Sequence, residues 1–371
     1  MDATRPPRIG PSLANFQSPQ YKSPESGEPG YFFDYNLTVE HAFTANTLWR
    51  ASFHANYGIN ARRNRNYNLL DPKYLGMFGS LLTTPLSTAM KDQRVIDSGF
   101  QLPYPTYPTN VQLQQALRPF PQYSGSISGA SQSGHSTWNA FETSFEKRFS
   151  GGFYALASYT FSKLLSAETG MIEFNNLTEK VIDGADRPHV FALSYIFELP
   201  FGKGRKYLSD ASPFADALLG GWTISAVHRY QSGTPLGVGC GQNLYGVGSA
   251  RCNIVPGQPL LNPNWDRTDQ FSTYLNPDAF FEPPNGVFGT MPVRMAQMRQ
   301  PLQMNDDVAL AKTFSFTEET NLEFRASAFN VANRHLLGSL QTNTRSADFG
   351  QFRNPQSNLP RGVQFSLRLS F

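Results

Sequence analysis

Few residues of this 371-residue chain have the types and spacing that chemistry requires. Asp183, Asp186, Arg187 and His189 crowd together before an apolar stretch. Carboxylates and an imidazole hold a metal ion only if they converge on it. Polar residues gathered before a strand are also ordinary turn chemistry, and that reading is preferred here. Gly202-Lys203-Gly204-Arg205 lacks the spacing of a phosphate-binding loop and any helical pattern after it, so it reads as a basic turn. Gly129-Ala130-Ser131-Gln132-Ser133 has no glycine at the fifth position of a nucleophile elbow. Glu318 and Glu319 share a short turn, which supplies no pocket for acid–base work. The six histidines stand singly, without metal-ligand spacing. The expectation is therefore no catalytic residue, no cofactor, no metal and no enzyme. Cys240 and Cys252 lie close together in a Gly/Pro/Asn-rich segment. In an oxidising compartment they could close a small loop; otherwise they are two unpaired thiols.

If side chains do no covalent chemistry, the elements that carry them become the subject. Aromatic residues make up 13% of the chain, with 30 Phe and 16 Tyr, while charged residues make up only 16%. Mean hydropathy is nevertheless −0.39. Aromatic-rich, charge-poor and hydrophilic on average is the composition of strands that alternate apolar and polar residues in a membrane. No apolar run is long enough for a helical span. The net charge of +3 is too small for a nucleic-acid footprint.

Nine segments alternate with period two. They run through Phe33–Val39, Trp49–Tyr57, Phe141–Phe149, Phe153–Phe161, Phe191–Phe197, Trp222–Tyr230, Val308–Phe314, Leu322–Ala328 and Val363–Phe371. Short links, such as Thr44-Ala45-Asn46 and Ser150-Gly151-Gly152, alternate with long ones: Asn60–Ser136, Leu165–Arg187, Gln231–Asn305 and Asn333–Arg361. Short turns on one side and long loops on the other is the arrangement of an outer-membrane barrel. If the last strand ends in the periplasm, the short turns are periplasmic.

Charge position supplies a further test. An Arg or Lys facing lipid at mid-bilayer costs roughly 2–4 kcal/mol. In this registration Arg50, Glu142, Glu146, Arg148, Glu323, Arg325 and Arg368 fall on the polar face, as candidates to line a lumen. The exceptions His41, Lys147, Lys163, His228 and Lys312 sit towards segment ends, where a long side chain can reach the interface. The expected fold is thus all-β: a transmembrane antiparallel β-barrel, partial, with about nine C-terminal strands. A soluble β-sandwich would alternate as well, and remains the alternative.

Several phrases in order resemble the C-terminal barrel region of Oar-like TonB-dependent receptors. They include Ala116-Leu-Arg-Pro-Phe-Pro-Gln-Tyr123, Trp138-Asn-Ala-Phe-Glu-Thr-Ser-Phe-Glu-Lys-Arg-Phe149 and Ser158-Tyr-Thr-Phe-Ser-Lys163. Asp186-Arg-Pro-His189, Glu198-Leu-Pro-Phe-Gly-Lys-Gly-Arg205, Gln231-Ser-Gly-Thr-Pro235, Phe324-Arg-Ala-Ser-Ala-Phe-Asn330 and the closing Phe365-Ser-Leu-Arg-Leu-Ser-Phe371 also match. The resemblance implies a large barrel with an internal plug and a TonB box upstream, serving uptake or surface binding of a bulky solute. Neither upstream part is recognisable here, and no secretory leader opens the sequence. The expectation is a piece of a longer chain: an extension over residues 1–30, then a barrel segment over 31–371. Outer-membrane lipid is the expected surroundings and the cell outer membrane the expected location. The barrel-assembly machinery would read Phe365, Leu367, Leu369 and Phe371, and the TonB system would act only through an upstream plug. A structural or adhesive barrel without transport is the alternative function, with a soluble binding domain or hydrolase behind it.

Overall fold

The structure, a computed structural model, describes residues 20–22, 27–123, 127–169, 178–248, 250–269, 271–317 and 319–371. Its framework is a meander of nine long strands: β1 (Tyr31–Thr44), β2 (Thr47–Asn66), β3 (Ser128–Ser150), β4 (Phe153–Thr169), β5 (His189–Glu198), β6 (Trp222–Gln231), β7 (Gln303–Ser315), β8 (Asn321–Phe329) and β9 (Gly362–Ser370). Each long strand pairs antiparallel with the next, so spatial order follows chain order. Gln20–Lys22 adds a short parallel stretch beside β3, and Thr178–Ile182 a short antiparallel one beside β4. Among the described residues β1 and β9 do not pair with each other. The sheet is open, and both edge strands are exposed along their whole length.

The short links turn tightly. Gly151 (φ 61°) and Gly152 (φ 77°) occupy the left-handed region between β3 and β4, where a side chain would be strained. The β5–β6 connection carries a short helix, Pro213–Leu219, capped by Ser212, whose hydroxyl accepts from Ala215 N at 3.3 Å.

Strands β2 and β3 have 20 and 23 residues, well beyond the roughly 9–11 needed to cross a bilayer. They run past the segments read from the sequence, which ended near Tyr57 and began near Phe141. The added parts carry Arg62, Arg63, Asn64 and Arg65 against Gly129, Ala130 and Ser131. Alternation reports burial, whereas the backbone ladder continues without it. The register slips between Gly58 and Ala61 and again before Arg63, so the ladder is irregular where the pattern fails.

The long connections are folded. Between β2 and β3, Leu70, Phe78, Leu82, Leu86, Ala89, Val95, Tyr107 and Leu113 form an apolar core. The β6–β7 and β8–β9 connections share a second core built on Leu236, Val238, Tyr274, Leu275, Met291, Met298, Phe349 and Phe352. The links read from the sequence only as long loops thus have structure of their own, because they bury apolar surface in two cores.

Candidate functional site

The register decides which side chains share a face. Arg50 stands opposite Glu40 on β1 and Ser144 on β3, which puts Glu142, Glu146 and Arg148 on the same side. From Ser144 the row continues through Ser158, Ala192, Arg229 and Asn305. Two further rows join Ala311, Arg325 and Ser366, and Thr313, Glu323 and Arg368. All seven charged candidates therefore lie on one face of the sheet.

They sit within a cross-strand polar network. Arg50 Nε donates to Glu40 Oε1 at 2.5 Å, and His54 Nε2 lies 3.5 Å from Glu142 Oε2. Arg148 pairs with Glu146 at 3.6 Å, and Asn56 Nδ2 donates to Asp34 Oδ1 at 2.5 Å. Across the sheet, Arg325 reaches the hydroxyls of Ser327 and Ser225. The opposite face carries Phe33, Tyr35, Leu37, Val39, Phe53, Tyr57, Phe141, Phe145 and Phe161, then Phe365, Leu367 and Leu369, all exposed. These rows do not converge on a dry core.

The polar exceptions on the apolar face have specific solutions. Lys312 is buried near the short turns, donating to Gly220 O and, at 3.4 Å, to Asp216 O, with Trp222 and Phe314 rings about it. At the other end, His228 meets Asp306, a carboxylate that sequence reasoning missed. His228 Nδ1 is 2.7 Å from Asp306 Oδ1, the Tyr230 hydroxyl donates to the same oxygen at 2.6 Å, and Arg334 Nε donates to Oδ2 at 2.9 Å. The signal was available: Asp306 shares the parity of Val308 and Leu310, so it had to be neutralised locally.

The other motifs are distributed. Asp186 accepts from Leu164 N at 2.6 Å and pairs with Arg299 at 2.6 Å. Arg187 donates to Ser232 O and Gln303, His189 meets the Tyr159 hydroxyl at 2.7 Å, and Asp183 accepts from Ala185 N. The group ties neighbouring strands and loops together rather than gathering at one point. Gly129–Ser133 lies inside β3. Lys203 N donates to Asp216, and Arg205 pairs with Glu198 at 2.9 Å. Glu318 and residues 1–19 and 23–26 lie outside the described residues.

Above the wall the connections form one cap. Tyr245 and Val247, from the β6–β7 connection, are buried in the β2–β3 core, and Leu70 N donates to Gly246 O at 3.3 Å. Arg251 pairs with Glu179 of the β4–β5 connection at 2.8 Å. Cys240 and Cys252 are joined by a disulfide, with Cα atoms 5.1 Å apart, inside the second core. Glu282 accepts from Gly241 N at 3.0 Å and pairs with Arg345, tying the disulfide loop to the β8–β9 connection. The Arg345 guanidinium holds the Glu282 carboxyl below the usual carboxylate range. Burial pushes the Tyr274 phenol up to about 12. Phe78, Leu82, Leu86 and Ala89 of the first core sit on three separate short helical elements divided at Thr84-Pro85, so no single helical face announced it. A cavity of about 810 Å³ lies between the β6–β7 and β8–β9 connections over the end of β7.

A long antiparallel meander with one polar and one exposed apolar face, short turns below and folded loops above, defines a membrane-barrel wall. The chain matches the outer membrane beta barrel domain over residues 3–364 and belongs to that family. That membership places it in the outer membrane as a non-enzymatic protein. Among solved structures it is similar to FpvAI in complex with pyocin S2, with a TM-score of 0.42 and 12% identity over 93% of this chain and 28% of that one. P. aeruginosa FpvA bound to heterologous pyoverdines gives 0.40, with 12% identity over 93% and 28%. The Escherichia coli outer membrane transporter YddB gives 0.38, with 11% identity over 95% and 34%. The chain thus spans about a third or less of each of these chains. The comparison with curated proteins found no match.

Proposed function

We propose that the chain forms part of the wall and the outer cap of a TonB-dependent receptor-like barrel of the Oar-like kind, serving binding or uptake of a bulky solute. One observation carries the reading. Seven charged side chains from four strands share one face, while the opposite face exposes rows of Phe, Tyr and Leu. In hydrocarbon the apolar rows are stable and the charges are not, so the apolar face meets lipid and the polar face lines the lumen.

The open edges support a larger assembly. An unpaired N–H or C=O in hydrocarbon costs several kcal/mol. Strands β1 and β9 run in the same direction, because an even number of antiparallel steps separates them. Pairing them directly would make a parallel seam, so an all-antiparallel wall needs an odd number of additional strands. Residues 31–371 would be the barrel segment and residues 1–30 an extension leading into it. Phe365, Leu367, Leu369 and Phe371 would guide assembly, and an upstream plug would couple the lumen to the TonB system. The cap would select the solute.

The test is to place a fluorophore at Phe53, Phe141 or Phe365, and at Ser52, Glu142 or Ser366 on the other face, in vesicles containing nitroxide lipids. Strong quenching at the first set and weak quenching at the second is expected. Equal quenching on both faces, or none on either, removes the basis of the proposal.

A further inference from the structure

The cavity over the outer end of β7 lies outside the lumen-facing row and borders the second core of the cap, which lends it Phe352 and Trp265. Its one lining residue from a long strand is Met304, which stands on the apolar side of β7 with Val308 and Leu310. At about 3.3 Å per residue, Val308 is only about 13 Å further along the strand. The cavity therefore opens where the apolar wall gives way to the cap. Trp265, Phe271 and Phe352 supply aromatic surface. Arg267 and Arg334 bring guanidinium groups from two different connections.

Each guanidinium is held from one side. Arg334 Nε donates to Asp306 at 2.9 Å, and an Arg267 Nη donates to His335 O at 2.5 Å. Among the described side-chain contacts each uses a single N–H, out of five donors per group. The remaining donors suit a phosphate, which Arg binds in a bidentate manner. Asp269 also lines the space and offers acceptors for hydroxyls, its Oδ1 already accepting from Phe271 N at 2.9 Å. Aromatic faces, hydroxyl acceptors and paired guanidinium groups together match a phosphorylated sugar. Because Met304 lies in the same row as Val308 and Leu310, such a sugar can remain attached to acyl chains lying against the wall.

We infer that this cavity seats the phosphorylated saccharide headgroup of an outer-leaflet glycolipid, with its acyl chains running down the apolar face beside Val308 and Leu310. The inference rests on the lipid-facing reading of that face.

The experiment titrates the purified, closed barrel that contains this chain, in zwitterionic detergent micelles, with lipopolysaccharide, with phosphatidylethanolamine and with glucosamine 6-phosphate. Binding of lipopolysaccharide at least tenfold tighter than either of the others is expected. Arg267→Glu should weaken it about tenfold, and Arg267→Lys by less, while Lys91→Glu in the far part of the cap leaves it unchanged. Retained heat-modifiable gel mobility confirms that each variant is folded. Equal affinity for phosphatidylethanolamine, or no effect of Arg267→Glu, overturns the inference. Equal affinity for the free sugar phosphate overturns the lipid source. If nitroxide lipids quench a probe at Phe365 but lipopolysaccharide is not preferred, this inference fails alone. If they do not quench it, the wall reading fails first.

Discussion

Strand β9 and the β2–β3 connection obey opposite physics within one chain. Every residue of β9 is exposed, including Phe365, Leu367 and Leu369. In the connection, Leu70, Leu82, Leu86, Ala89 and Leu113 are fully buried. The cap is stabilised as a water-soluble domain is, by removing apolar surface from solvent. The wall keeps its apolar surface outward and is held by a backbone ladder, so its side chains gain only once lipid surrounds them. The same residue types are therefore buried in the cap and exposed on the wall. Damage to one region should leave the other standing.

The largest effect expected from a single change is in the cap. Leu275→Ala empties a fully buried site in the second core, at a cost of about 2–5 kcal/mol. Limited proteolysis should then cut the connections rapidly, while the wall keeps its heat-modifiable gel shift. Loss of that shift would mean that the two regions fold as one unit. The reciprocal change, Phe365→Arg, places a cation on the apolar face near the middle of β9, at about 2–4 kcal/mol. It should lower the yield of heat-modifiable protein, whereas Ser366→Arg on the polar face should not. Equal damage by both would contradict the two-faced wall. Opening the disulfide comes next. Cys240 and Cys252 are twelve residues apart, and a loop of that size is worth about 3 kcal/mol in chain entropy. Cys252→Ser should raise the proteolysis rate of the second core and leave a probe in the β2–β3 core unaffected.

How legible these regions were follows from the same contrast. Phe33–Val39 and Val363–Phe371 were readable because a strand with one apolar and one polar face alternates strictly. Seven charges could be put on one face by parity alone, and the observed register puts them there. Arg62–Arg65 and Gly129–Ser131 were not readable as strand, since they alternate with no apolar row although the ladder continues through them. The cap cores were missed because Pro, Asn and Tyr surround short apolar groups contributed by distant connections, as when Tyr245 and Val247 complete the core begun at Leu70. The cavity was invisible for the same reason: Arg267 and Arg334 line one space only after two connections fold together near Met304.

The smallest effect concerns the ion pair that ties the cap's own parts together. Glu282 lies partly exposed against an exposed Arg345, so solvent screens the pair and its contribution is small. Its carboxyl titrates below the ordinary range in the folded chain because Arg345 donates to it. The folded protein thus binds this proton more weakly than the unfolded chain does. The pair's contribution is fully present above the unfolded value near pH 4 and is lost as pH falls through the folded one. Hydrogen exchange at Gly241, whose N–H donates to the same carboxylate, should speed up relative to its intrinsic rate when pH drops from 6 to about 3. In Arg345→Met that pH-dependent step should shrink, with the wall unchanged. A step of equal size in Arg345→Met would assign the pH response to another group and leave the cap's inner tie to its apolar core alone.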